Sequence, residues 1–336
     1  MNPLLDGVRS FLRARLHRFG QYCNWSSIAL RTYRGNIDIL GATEMRLRWF
    51  CALTALVLMG SAGETANAEK LVGLGGTPNG QSLVIFDSAT PGTVSSVAIT
   101  GLADGESLWG IDRRPATGEL LALSNQNRLL TIRPNTGFAT VVGAGFTNPL
   151  DGSSFGFDFN PQIDRIRIVS DANQNFVANP ITGDANVAAT TPVFFAVGDV
   201  NAAADPHVVH HAYDQNVAGT LATQLRAIDT DLDILVTQAN NVGTLGTIGP
   251  LGFDATDIGG FDVSDSGNAF AIFNAGGNTS GLYSINLTSG AGTFLGEVPG
   301  AIHGLTAVPE PSTFGLLAIA LTMGGAFAAR HARRGR

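Results

Sequence analysis

Only two cysteines occur in the 336 residues, Cys23 and Cys51, and both precede residue 69. The stretch 69–308 therefore holds no disulfide framework, no thiolate metal site and no cysteine nucleophile. Basic side chains are nearly as scarce there. Lys70 and seven arginines face 22 carboxylates, a net charge of −14 that the whole-chain value of −7 conceals because arginines crowd the two ends. Nucleic acids and anionic lipids are gripped by clustered Lys and Arg, so the stretch is a poor candidate for binding either, and no nucleic-acid partner is expected. Tryptophan is reduced to Trp109 in this stretch, which leaves little for the stacked aromatic platforms of carbohydrate binders. No nucleophile elbow, phosphate loop or dinucleotide fingerprint appears, and no long apolar period of 3.6 residues runs through it.

The long apolar runs lie at the ends. Pro309, Glu310 and Pro311 precede an uncharged run, 314–329, and then a basic tail with Arg330, Arg333, Arg334 and Arg336. Sixteen residues make a helix of about 24 Å, a marginal span of a hydrocarbon core of ~30 Å. Arginines behind it stay on the cytoplasmic side, which places everything before Pro309 outside the cytoplasm, held transiently in the inner membrane by its C-terminus. The order of these three parts, over 309–336, resembles the PEP-CTERM sorting signal of Gram-negative bacteria. That resemblance implies recognition and removal by an exosortase, followed by a cell-surface or extracellular location.

Export requires a secretion signal, and one spans 45–68. Met45 opens it, Arg46 and Arg48 supply the positive start, Trp49 to Gly60 the apolar stretch, and Ala66-Asn67-Ala68 the A-x-A site for a secretion signal peptidase. Cys51 sits near the start of that apolar stretch instead of after it, which argues against lipoprotein processing. Residues 1–44 carry six arginines without a periodic pattern, and the expectation is that translation begins at Met45.

Between the two signals, 69–308 is long enough for one large domain. Its apolar runs are short, β-branched or aromatic, as in 166–169 (Ile-Arg-Ile-Val) and 282–285 (Leu-Tyr-Ser-Ile), and Gly, Asn, Asp and Thr separate them. Asp112, Asp158, Asp214 and Asp262 each follow an apolar residue at intervals of 46, 56 and 48. Within a unit, 129–145 and 282–296 repeat a third strand, a Thr-Gly or Ser-Gly turn and a fourth strand. Four short antiparallel strands per repeat predict an all-β fold, a β-propeller of about five four-stranded blades. Residues 70–99 offer three strands, and 302–308 a lone inner strand, so the C-terminal strand is expected to complete the first blade. The segment 154–179, with 110–118 and 212–219, resembles the domain-of-unknown-function family 4394 across about 70–308. The resemblance implies export and a propeller-like fold and brings no catalytic residues with it.

The polar set with most chemical potential is Asp112, Asp158, Asn160, Asp214, Asn216 and Asp262. Gathered around a channel, the four aspartates would offer oxygen ligands to a divalent cation, the one cofactor in view, in the manner of propeller lactonases. Turn capping by each aspartate is the simpler reading. His210 and His211 should point to opposite faces of a strand, which argues against a zinc site with His207. Asp229-Thr230-Asp231-Leu232-Asp233 opens like a Ca²⁺ loop, but Ile234 and Asn240 replace its Gly and Glu, so a solvated turn is expected. Arg165 and Arg167 share one strand face and are expected to pair with Asp158, Asp164 or Asp171. Trp109 is expected in the core. The chain then reads as an exported, non-enzymatic binding or display protein of the surface or extracellular matrix. An exopolysaccharide-binding module and a metal-dependent lactonase-like hydrolase are the alternatives.

Overall fold

A computed structural model describes residues 68–309, apart from 77–79 and 186. The leader 1–44, the signal segment as far as Asn67, Glu310, Pro311, the apolar run 314–329 and the arginine tail lie outside the described residues. Among those described, all regular structure is strand, and no helix is long and apolar enough to cross a membrane.

Short β-branched and aromatic runs bounded by Asx turns and glycines give twenty strands. They are β1 (Lys70–Gly75), β2 (Ser82–Asp87), β3 (Ser95–Ala98), β4 (Leu108–Arg113), β5 (Leu120–Ser124), β6 (Arg128–Ile132), β7 (Ala139–Val142), β8 (Phe155–Asn160), β9 (Arg165–Ser170) and β10 (Asn175–Ala178) in the first half. The second half holds β11 (Phe194–Phe195), β12 (Val208–Tyr213), β13 (Leu225–Asp229), β14 (Ile234–Gln238), β15 (Thr244–Pro250), β16 (Gly259–Val263), β17 (Ala269–Phe273), β18 (Thr279–Ile285), β19 (Gly292–Pro299) and β20 (Ile302–Val308). They form five sheets, the blades of a propeller.

The ring closes as expected. β20 pairs antiparallel with β1, from Lys70↔Val308 to Gly75↔Ile302, so the first blade reads β20-β1-β2-β3 and neither strand is left unpaired. The pairing slips between Gly73 and Leu74. A Cβ at Gly73 would collide with the Ile302 Cγ2 and come within 3.2 Å of the Gly304 carbonyl, which is why glycine stands at that bulge.

One blade departs from four strands. The third sheet holds only β8, β9 and β10, because the chain after Ala178 leaves it and β11 joins the fourth blade instead, parallel to β15. Pro180, Pro192 and Pro206 fall in that segment and cannot donate to a ladder. The fourth sheet consequently has five strands.

Five apolar clusters fill the five spaces between adjacent blades. Leu74, Leu83, Ile111 and Leu130 lie between blades one and two, and Leu121, Leu123, Phe157 and Ile168 between two and three. Val169, Val208 and Leu245 pack between three and four, Ile228, Phe261 and Phe273 between four and five, and Ile272, Leu282 and Leu71 between five and one. Full burial of each such side chain contributes about 1.5–3 kcal/mol. Trp109 stacks on Phe155 at 4.8 Å at the edge of the second cluster, the core role expected for it.

Candidate functional site

The inner strands β20, β4, β8, β12 and β16 run side by side around the central axis. The end where they begin is called the upper end and the end where they finish the lower end. Residues two apart share a strand face, so each inner strand turns two or three side chains toward its neighbour at the axis.

Near the lower end these side chains form a ring of hydrogen bonds. Asp112 Oδ2 accepts the Phe159 N–H at 2.8 Å, Asp158 Oδ2 the Tyr213 N–H at 2.8 Å, and Asp262 Oδ2 the Ala307 N–H at 2.6 Å. Thr306 Oγ1 accepts the Arg113 N–H at 3.1 Å and donates to Asp112 Oδ1 at 2.8 Å. In every case the side chain of one inner strand holds the backbone N–H one residue past the equivalent position on the next blade. The equivalent positions are therefore 112, 158, 212, 262 and 306, and Ala212 leaves the fourth without a polar group.

Asp112, Asp158 and Asp262 thus come together, with one oxygen of each inside 4.8 Å of the others, and all three are buried. Burial pushes the Asp112 carboxyl up to about 6 against the pull of its hydrogen bonds. Burial, with the negative charges of Asp112 and Asp262, holds Asp158 well above the usual range; burial and Asp112 do the same to Asp262. Three carboxylates this close in a dry site do not all ionise together. Protonated, they tie blades and one another; deprotonated, they would present hard oxygen ligands to a divalent cation.

Asp214 is not part of the ring. It lies just past β12, where its carboxylate accepts the Gln224 N–H at 2.6 Å and faces Arg226 at 3.5 Å, so it caps the turn between β12 and β13. Asn160 does the same after β8, accepting the N–H groups of Gln162 and Ile163. Asn216 is buried near the turn capped by Asp214.

Above the ring stand Gly110, Gly156, His210, Gly260 and Gly304, which line a narrow axial opening with room for about one water. Glycine is required by crowding: a Cβ at Gly110 would come within 2.6 Å of the Phe157 Cβ. The histidines diverge. His210 Nε2 lies 2.9 Å from the Thr256 carbonyl and His211 Nε2 3.1 Å from that of Arg167, and burial lowers them to about 4 and about 3. His207 sits at the upper end, 3.1 Å from Asp257 and 3.8 Å from Asp231. Burial opposes its charge, but the hydrogen bond and charge of Asp257 outweigh burial and raise its pKa.

Two further expectations are corrected. Arg167 is buried without a carboxylate partner: it donates to Asn175 Oδ1 at 2.7 Å, Asn241 Oδ1 at 2.8 Å and the Tyr213 hydroxyl at 3.4 Å, while Arg165 donates to the Asp164 carbonyl. Asp164 instead pairs with Arg114. The 229–233 segment is a turn, but its first residue is buried, with Asp229 Oδ1 accepting the Asp231 and Leu232 N–H groups. Sequence reading also missed Thr306, which an alignment of 302–308 with the other inner strands places in register, and the buried Glu106–Arg128 pair at 2.6 Å, which no motif announces.

The profile of the family described as "Domain of unknown function (DUF4394)" matches residues 82–306, two thirds of the sequence. The chain belongs to the DUF4394 family. In this DUF4394 protein a second profile, the PEP-CTERM protein-sorting motif, matches 307–334 and begins inside the closing strand β20. The motif marks an exported protein sorted by an exosortase to the cell envelope or surface. No curated protein matches the DUF4394 chain. Among solved structures it is similar to a chain of a nidogen–laminin complex, with 10% identity over 72% of this chain and 99% of that one and a TM-score of 0.42. It is likewise similar to TolB from Acinetobacter baumannii, with 11% identity over 72% and 67% and a TM-score of 0.38.

Proposed function

We propose that this protein is a surface or extracellular-matrix protein of a Gram-negative bacterium whose propeller acts as a non-enzymatic binding or display module. In this reading the apolar run 314–329 holds the newly exported chain in the inner membrane until exosortase acts. The observation that carries the reading is that the sorting motif is continuous with the strand that closes the ring: β20 lies between β1 and the axis, and its Thr306 and Ala307 belong to the hydrogen-bond ring. A load on the C-terminus is thus borne by the whole domain. The axial carboxylates support a structural role as well, since each holds a neighbouring blade by a backbone N–H.

Expression of the full chain in a host with and without exosortase tests this reading. The expected result is a shortened, protease-accessible surface form only where exosortase is present, and full-length membrane-bound protein where it is not. Cytoplasmic protein in both hosts contradicts it. Exopolysaccharide is the partner to try first, on a glycan array. A second reading, a cation-dependent lactonase-like hydrolase, rests on the oxygens of Asp112, Asp158 and Asp262 lying within 4.8 Å. Its test is a stoichiometric metal that disappears in Asp158→Ala.

A further inference from the structure

The two ends of the propeller differ in charge and in where the chain leaves the domain. Both termini of the folded domain are at the lower end, where Lys70 and Val308 are register partners. Pro309 follows β20 directly, and only residues 309–313 separate it from the apolar run. Five residues reach at most about 18 Å. The upper end is about 20 Å farther on, the length of a six-residue inner strand at ~3.3 Å per residue.

Charge follows the same axis. Eleven of the 22 carboxylates lie in the upper loops or at the strand residues beside them, with Arg128 as the one arginine there, and Arg128 is paired with Glu106. At the lower end, the three buried ring aspartates set aside, Lys70, Arg113, Arg114, Arg165 and Arg226 nearly balance Glu69, Asp87, Glu119, Asp164, Asp214 and Asp265. The net charge is −10 above and −1 below. An anionic lipid surface repels the upper end strongly within a screening length of about 10 Å and leaves the lower end almost unaffected.

The geometry points to the lower end as the face that stands on anionic phospholipid while the C-terminal segment is in the membrane, with the acidic upper end and the mouth of the axial opening directed away from the bilayer. This orientation rests on the membrane-held form proposed above. It also fixes from which side a partner of the upper end can approach before sorting.

Because 69–308 lacks cysteine, single cysteines report position cleanly. With Cys23 and Cys51 changed to Ser, the full chain carries Ala116→Cys or Ala218→Cys at the lower end, or Ala103→Cys or Ala275→Cys at the upper end, all exposed sites. Each is labelled with a donor fluorophore and reconstituted into phosphatidylethanolamine–phosphatidylglycerol vesicles holding an acceptor-labelled lipid. Energy transfer should be about two-fold or more greater from 116 and 218 than from 103 and 275, as ends ~20 Å apart require. Equal transfer from the two ends, or greater transfer from the upper one, overturns the orientation. Failure of the chain to float with vesicles overturns the membrane-held form itself and the orientation with it.

Discussion

Replacing Asp112 with Asn should change stability in opposite directions at low and neutral pH. Burial lifts this carboxyl from 3.8 to about 6 in the folded state. The folded protein therefore holds the proton more tightly than the unfolded chain, and this contribution is complete below pH 3.8 and lost as the pH rises through about 6. At ~1.4 kcal/mol per pH unit the loss is about 3 kcal/mol. A carboxamide at this position cannot titrate. At pH 4 the substitution costs about 1 kcal/mol, because one acceptor of Thr306 and the backbone becomes a donor. At pH 7 the variant should be more stable than the wild type by about 2 kcal/mol, the difference of those two effects. Urea unfolding of residues 69–308 followed by Trp109 fluorescence measures both, since that indole is the one tryptophan in the domain and stacks on Phe155. The readout is the difference between variant and wild type, because His210 and His211 give the whole profile the opposite slope. A difference that stays constant from pH 4 to 7 refutes the reasoning: Asp112 would then be hydrated or neutralised by a cation.

Other substitutions probe the remaining parts of the account. His210 is lowered to about 4, so its contribution is complete above pH 6.5 and lost as pH falls through about 4; His210→Gln should remove about 3 kcal/mol of acid sensitivity in the same urea assay. Gly110→Ala forces a methyl against Phe157 and should destabilise by about 1–3 kcal/mol, read as a lower midpoint at unchanged slope. Arg167→Met strips Asn175 and Asn241 of a buried donor and should cost about 3 kcal/mol, with amide exchange accelerated first between blades three and four. Thr306→Val removes the link from β20 to Asp112 and the longer of the two bonds from the Arg113 N–H, which keeps Asp112 Oδ1 as acceptor, for about 1 kcal/mol.

Much of this was legible in the residues. Short strands punctuated at regular intervals gave the propeller, and the lone 302–308 strand its closure, because unpaired edges must be satisfied somewhere. The phase of one blade was not. Aligning Asp214 with Asp158 puts the fourth repeat two residues out, whereas aligning the aromatic pair Phe159 and Tyr213 places Ala212 in the ring and makes Asp214 the counterpart of Asn160. A two-residue slip keeps the strand face, so alternation alone gives no warning. The missing fourth strand of blade three was hidden by prolines and small residues in 179–207, whose partner β15 lies far away in sequence. The buried Arg167 misled because strand pairing placed it opposite Asp158, yet it reaches outward to the amide of Asn175 on β10 and that of Asn241 on the next blade.

Whether the axial carboxylates hold blades or hold an ion is decided most directly by elemental mass spectrometry of purified 69–308, wild type beside Asp158→Ala, with a thermal titration of Ca²⁺, Mn²⁺ and Zn²⁺. The display account predicts no stoichiometric metal and no cation-dependent rise in Tm in either protein. One tightly bound metal per wild-type chain, lost in Asp158→Ala, would contradict it and make the ring a metal centre.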